Sequence, residues 1–189
     1  MIILPDEDRE AALAEFEKHR SRFFALVGHC ITRYQSIEDF LPEVFSAALG
    51  GDTGKAAAIF AIVRGLEAKR NMISAALTGA DEPTIKRWSD LLKRVASAAT
   101  ARNEIAHART VNNGGVVSVQ AGGAGEMGIM TRVKAPQMEL RKRSGAGETV
   151  WTLELMIEEA ERSSKLFGHL IAFAMTLRGE EPPPHLLEP

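Results

Sequence analysis

Apolar residues recur at steps of three, four or seven along the first long stretch of this chain, and that spacing sets what it can fold into. Over residues 16–41 they are Phe16, Phe23, Val27, Cys30, Tyr34, Ile37 and Leu41, one face of a long helix. A stripe that long has to be covered by other helices. Residues 52–77 supply Ile59, Ile62, Val63, Leu66, Ile73 and Leu77. Residues 81–108 supply Ile85, Trp88, Leu92, Val95, Ala99, Ile105 and Ala106. Residues 152–177 supply Leu155, Ile157, Leu166, Leu170, Phe173 and Leu177. Punctuation agrees with these limits. Asp6 after Pro5 suits a helix start, and Pro42 predicts an end, a kink or a fresh start running to Leu49. Gly50 and Gly51 are a stop. Asp52 or Thr53 caps the second helix, and Gly79 ends it. Asp81 or Glu82 with Pro83 opens the third.

Between the third and fourth helices the texture changes. Asn112, Asn113, Gly114 and Gly115 are turn residues. Residues 116–119 and 129–134 read as short strands around a glycine loop at 122–125, and 138–143 as a weaker third strand before a turn at 144–147. Short loops make antiparallel packing the default. The expected fold is all-α: an up-and-down four-helix bundle with a small β-hairpin insertion between the third and fourth long helices.

Composition narrows the class. The 189 residues are 45% hydrophobic and 25% charged, with a formal net charge of -2, enough for one globular core and without a global pull on nucleic acid. Any RNA contact must then come from a local patch. A single cysteine, Cys30, leaves no internal disulfide and fits a reducing cytoplasm. Residues 1–6 lack the basic and apolar regions of a secretion signal, and no run of about eighteen apolar residues occurs. A cytoplasmic protein away from membranes is expected.

Chemistry concentrates where the third helix runs out, in Arg102, Asn103, Glu104, Ile105, Ala106 and His107. Arg102 offers a planar fork for two phosphate oxygens. His107 can move protons near neutral pH, and the carbonyls of the last turn favour positive charge there. Asn103 shares its face and can orient the imidazole or hydrogen-bond a phosphate. Arg102 and His107 stand about 140° apart around the helix, so only the length of the arginine can bring its head toward the imidazole. One histidine cannot serve as base and acid on opposite sides of an in-line displacement. An enzyme reading of this motif therefore also predicts a symmetric dimer.

Arg-Asn-x-x-x-His late in the third helix of a four-helix domain resembles the Arg-x4–6-His signature of the HEPN superfamily. The layout is similar too, with a long first helix carrying Tyr34, Gln35, Ser36, Ile37 and Glu38 and a second helix after an Asp. The resemblance covers residues 20–110 well and the last helix loosely. It implies a single HEPN-like helical domain over 1–180, with 111–150 as the hairpin insertion and 181–189 as a flexible tail. It also implies a dimeric, metal-independent endoribonuclease with Arg102, Asn103 and His107 as catalytic residues, of the kind found in toxins and anti-phage defence. The partners implied are RNA, a second copy of the chain, and an antitoxin or a nucleotidyltransferase. Other members serve as non-catalytic RNA- or nucleotide-binding or assembly modules, and that alternative stays open. Ala108 stands where a glycine often follows the histidine, and the glycine-rich hairpin is outside the family pattern.

Three further residues are binding candidates. Glu38, four after Tyr34, either holds Arg102 or His107 in place or is a half-buried carboxylate with any basic neighbour. Tyr34 shares its face. Arg109 either extends a phosphate site or is a cation favoured by the helix end. Arg132, Lys134, Arg141, Lys142 and Arg143 gather on the hairpin, more as a solvated surface than as an RNA-guiding patch. His29 and Cys30 have no partner pair at metal spacing, and His19, His169 and His185 are scattered, so no metal is expected. The glycines at 122, 123 and 125 lack the lysine of a phosphate loop, so no nucleotide cofactor is expected. Ser163 and Ser164 have no base nearby in sequence.

Overall fold

The computed structural model describes residues 6–112, 115–123, 126–134, 138–144 and 147–187. Five α-helices dominate: α1 (Asp6–Leu49), α2 (Thr53–Ile62), α3 (Leu66–Ala76), α4 (Glu82–His107) and α5 (Leu153–Leu177). Strands lie between α4 and α5: β1 (Arg109–Asn112), β2 (Gly115–Gly123), β3 (Glu126–Lys134), β4 (Met138–Ser144) and β5 (Gly147–Trp151). The protein is mainly helical, with small antiparallel sheets. Among the described residues no helix is long and apolar enough to cross a membrane.

Helix α1 continues through Pro42, so neither the end nor the fresh start expected there occurs. Proline there leaves the Glu38 carbonyl without its helical donor, a cost of about 3 kcal/mol. Ile37, Leu41, Val44 and Phe45 around it are all buried, and each contributes about 1.5–3 kcal/mol, so burial wins.

The single helix expected over 52–77 is in fact two. Val63 is already extended after α2, and Gly65, at φ +85°, precedes α3 in a conformation that suits glycine. The break also shifts the phase. Ala56 and Phe60 are the buried residues of α2, while Ile59 and Ile62 are 42% and 81% exposed. Helix α4 starts as its residues predict: the Asp81 carboxylate accepts the Thr84 amide at 2.8 Å, and hydrogen bonds from the Thr84 hydroxyl first and its amide second hold that carboxyl below its ordinary range. Its inward face is Trp88, Leu91, Val95, Ala98, Ala101 and Ile105. That face is turned slightly from the expected stripe, so Ile85 and Ala106 are exposed.

The chain divides into two compact units, Met1–Gly28 with Glu104–Ile157 and His29–Asn103 with Glu158–Pro189. The second holds the main core. Tyr34, Ile37, Leu41, Val44, Phe60, Ile73, Trp88, Val95, Leu166, Leu170 and Phe173 pack into one cluster. Trp88 stacks on Phe173 with centroids 5.8 Å apart, and its indole N–H donates to Ser74 Oγ at 2.9 Å. Removing Leu170 from such a site costs about 2–5 kcal/mol. Beyond α5, Pro184–Leu186 form one 3-10 turn within the segment expected as a tail.

In the first unit β1, β4 and β5 form a three-stranded antiparallel sheet in the order β1-β4-β5, and β2 pairs with β3. The expected strands fall inside β2, β3 and β4, while β1 and β5 were not foreseen. Of the expected turns, residues 113–114, 124–125 and 145–146 lie outside the described residues. Leu140 is buried and pairs with Trp151. The Trp151 indole donates to Glu104 Oε2 at 3.2 Å, which ties β5 to the last turns of α4.

Candidate functional site

Strand alternation puts Glu139, Arg141 and Arg143 on the face of β4 opposite buried Leu140. Register then extends that face, because Arg141 stands opposite Arg109 and Arg143 opposite Glu148. His107 is the last residue of α4 and is exposed. Together His107, Arg109, Val111, Arg141, Lys142, Arg143 and Glu148 line an open groove of about 460 Å³. Two carboxylates occupy part of its charge. Glu139 lies 2.9 Å from Arg141, and Glu148 lies 3.3 Å from Arg143 and 3.6 Å from Arg141. Among the described residues Arg109 and Lys142 have no carboxylate partner. The groove thus carries a local excess of positive charge in a chain of net charge -2.

A second polar cluster lies in the other unit. Tyr34 and Glu38, one helical turn apart on α1, share a face. Lys69 Nζ donates to Glu38 Oε1 at 3.1 Å, and Arg102 Nη2 lies 3.9 Å from Glu38 Oε2. Arg102 Nη1 also donates to Asn103 Oδ1 at 2.8 Å. Its guanidinium carbon sits 5.0 Å over the Tyr34 ring, a cation–π contact. Burial, then the Glu38 charge, pushes the Tyr34 phenol up to about 12 against the opposing pull of Arg102 and Arg70. The ring therefore stays neutral at working pH. Arg70 Nε is buried with no acceptor among the described residues.

Four of the expected site residues, Tyr34, Glu38, Arg102 and Asn103, come together in one unit. The other two, His107 and Arg109, come together in the other. Arg141, Lys142 and Arg143 line the same groove as the histidine. The side chains of Arg132 and Lys134 lie outside those described. Lys69 was missed by sequence reasoning. A basic residue on a helix neighbouring Glu38 is its only trace in the sequence, and that is too common to single it out. Ser163 is buried and donates to Glu159 Oε1 at 3.3 Å, a structural bond. Among the described residues no three histidine, cysteine, aspartate or glutamate side chains are placed to hold a metal ion. Compared with family models, curated proteins and solved structures, the chain finds no match.

Proposed function

We propose that this chain is a HEPN-like endoribonuclease that works without a metal and as a homodimer, on an up-and-down four-helix bundle. The observation that carries the reading is the exposed imidazole of His107 in a groove lined by Arg109, Arg141, Lys142 and Arg143. Cleavage of RNA by internal attack needs a base for the ribose 2′-OH and positive charge for the phosphate oxygens. His107 takes the proton. The groove cations hold the backbone and offset the charge that develops on its phosphate oxygens. The second copy's His107 protonates the leaving 5′-oxygen, and the product carries a 2′,3′-cyclic phosphate. A place in a toxin–antitoxin or defence system follows from the resemblance alone.

A second reading rests on the other cluster. Arg102 is already engaged by Asn103, Glu38 and Tyr34, which suits a helix-end brace in a non-catalytic RNA- or nucleotide-binding or assembly module. Incubation of RNA with purified protein in EDTA separates the two. Cleavage that is lost in His107→Ala supports the enzyme. Intact RNA, or equal cutting by His107→Ala, leaves the binding module.

A further inference from the structure

Two arginines of α4 line a groove beside α5 without an ion-pair partner among the described residues. Arg87, Asp90, Leu91, Arg94, His169 and Leu187 line it, and its volume is about 330 Å³. Arg87 Nη1 donates to Thr176 Oγ1 at 3.3 Å, and its guanidinium carbon lies 5.7 Å over the Phe173 ring. Thr176 gives its own proton to the Ala172 carbonyl at 2.8 Å, so its oxygen is free to accept. Arg94 Nη1 meets His169 Nδ1; an arginine can only donate, so Nδ1 is the acceptor. Neither arginine has a carboxylate partner among the described residues. Asp90, on the same groove, has its carboxylate 3.1 Å from Lys93 Nζ.

Both arginines are half-buried, and burial alone lowers the proton affinity of each. A half-buried cation with no direct ion-pair partner is costly, and the cost falls when an anion arrives. Most of the N–H donors of the two forks have no protein acceptor among the described residues. A planar fork with spare donors matches the oxygens of a phosphoryl group. Leu91 and the 49% exposed Leu187 supply apolar walls beside it.

We propose that this groove binds the phosphoryl group of a small ligand, either free phosphate or a small organic phosphate, through Arg87 and Arg94. It is separate from the His107 groove and does not depend on the nuclease reading. Titration calorimetry of the full chain at fixed ionic strength tests it, with inorganic phosphate and adenosine 5′-monophosphate as probes. The expected result is saturable binding that weakens about tenfold or more in Arg94→Gln. A comparable loss is expected in Arg87→Gln, which serves if Arg94→Gln does not fold. Arg141→Gln, which alters only the other groove, retains that binding. Equal affinity for the two probes identifies the free ion as sufficient, and tighter binding of the nucleotide adds the apolar walls. The proposal is overturned by absence of saturable binding, by unchanged binding in both Arg94→Gln and Arg87→Gln, or by loss of all binding in Arg141→Gln. Arginine-dependent binding of a short 2′-O-methyl RNA, with neither small probe bound, overturns it as well, in favour of a nucleic-acid surface.

Discussion

The His107 groove and the Arg102 cluster are built from the same residue types and are in opposite conditions. Around Arg102 most of the polar groups have their answer, Arg70 Nε being the exception among the described residues. Glu38 holds Arg102 and Lys69, Asn103 caps one guanidinium nitrogen, and Tyr34 lies beneath the fork. In the His107 groove, Arg109 and Lys142 have no such answer among the described residues, and the imidazole is exposed. Charge that its neighbours have satisfied stabilises a fold. Charge left over faces solvent and is available to a ligand. The short motif from Arg102 to His107 therefore supplies Arg102 and Asn103 to the first condition and His107 to the second.

The largest effect that would sharpen this contrast is on cleavage. His107→Ala is expected to lower the rate in EDTA by about a hundredfold or more. Its melting temperature should barely move, since an exposed substitution costs about 0.5 kcal/mol or less. A large loss of stability would put His107 with the satisfied residues. Next comes RNA affinity. Arg109→Gln with Lys142→Gln should weaken binding and flatten its log–log dependence on salt by about 0.7 for each charge removed. An unchanged slope would mean that these cations do not meet the backbone.

Arg102→Ala should show the reverse pattern of His107→Ala. Loss of its hydrogen bond and ring contact, with a long and partly exposed ion pair, predicts about 1–2 kcal/mol of destabilisation by chemical denaturation. No change in stability would break the contrast from the other side.

The smallest effect concerns Glu159, buried beside Ser163 and Arg162. Burial holds its carboxyl above the ordinary value of 4.5, against the opposing pull of Arg162 and Ser163. The folded form thus keeps this proton longer than the unfolded chain does. The stability that goes with it is full below about pH 4.5 and is lost as pH rises through the raised value. Glu159→Gln removes that loss. Relative to the native protein, its melting temperature should improve as pH goes from 4 to 7. A difference that does not vary with pH would show that this carboxyl titrates alike in both states.

Much of this architecture can be read from the residues. The Asp81 cap and the start of α5 follow from local chemistry, and local chemistry is visible in one dimension. Gly65 is not, because an isolated glycine in a helical pattern is usually tolerated and only its positive φ reveals the break. Strand β1, Arg109–Asn112, has a single apolar residue, Val111, and owes its form to β4 about thirty positions later. The same pairing explains why the groove was only half legible. His107 and Arg109 stand out by type and position, but nothing local says that Arg141 to Arg143 fold back beside them. Glu38 and Tyr34 were readable as candidates because they share a helix face. Their capture of Arg102 is a tertiary fact.

The most direct measurement follows the imidazole itself. The chain has five histidines, few enough to resolve in a spectrum of protein labelled at histidine. Titration with a non-cleavable 2′-O-methyl RNA should shift the His107 resonance saturably, in step with the binding isotherm, and should leave it unmoved in Arg109→Gln with Lys142→Gln at the same RNA concentration. RNA that binds while His107 stays still would contradict the assignment of this groove as the place where RNA is held and cut.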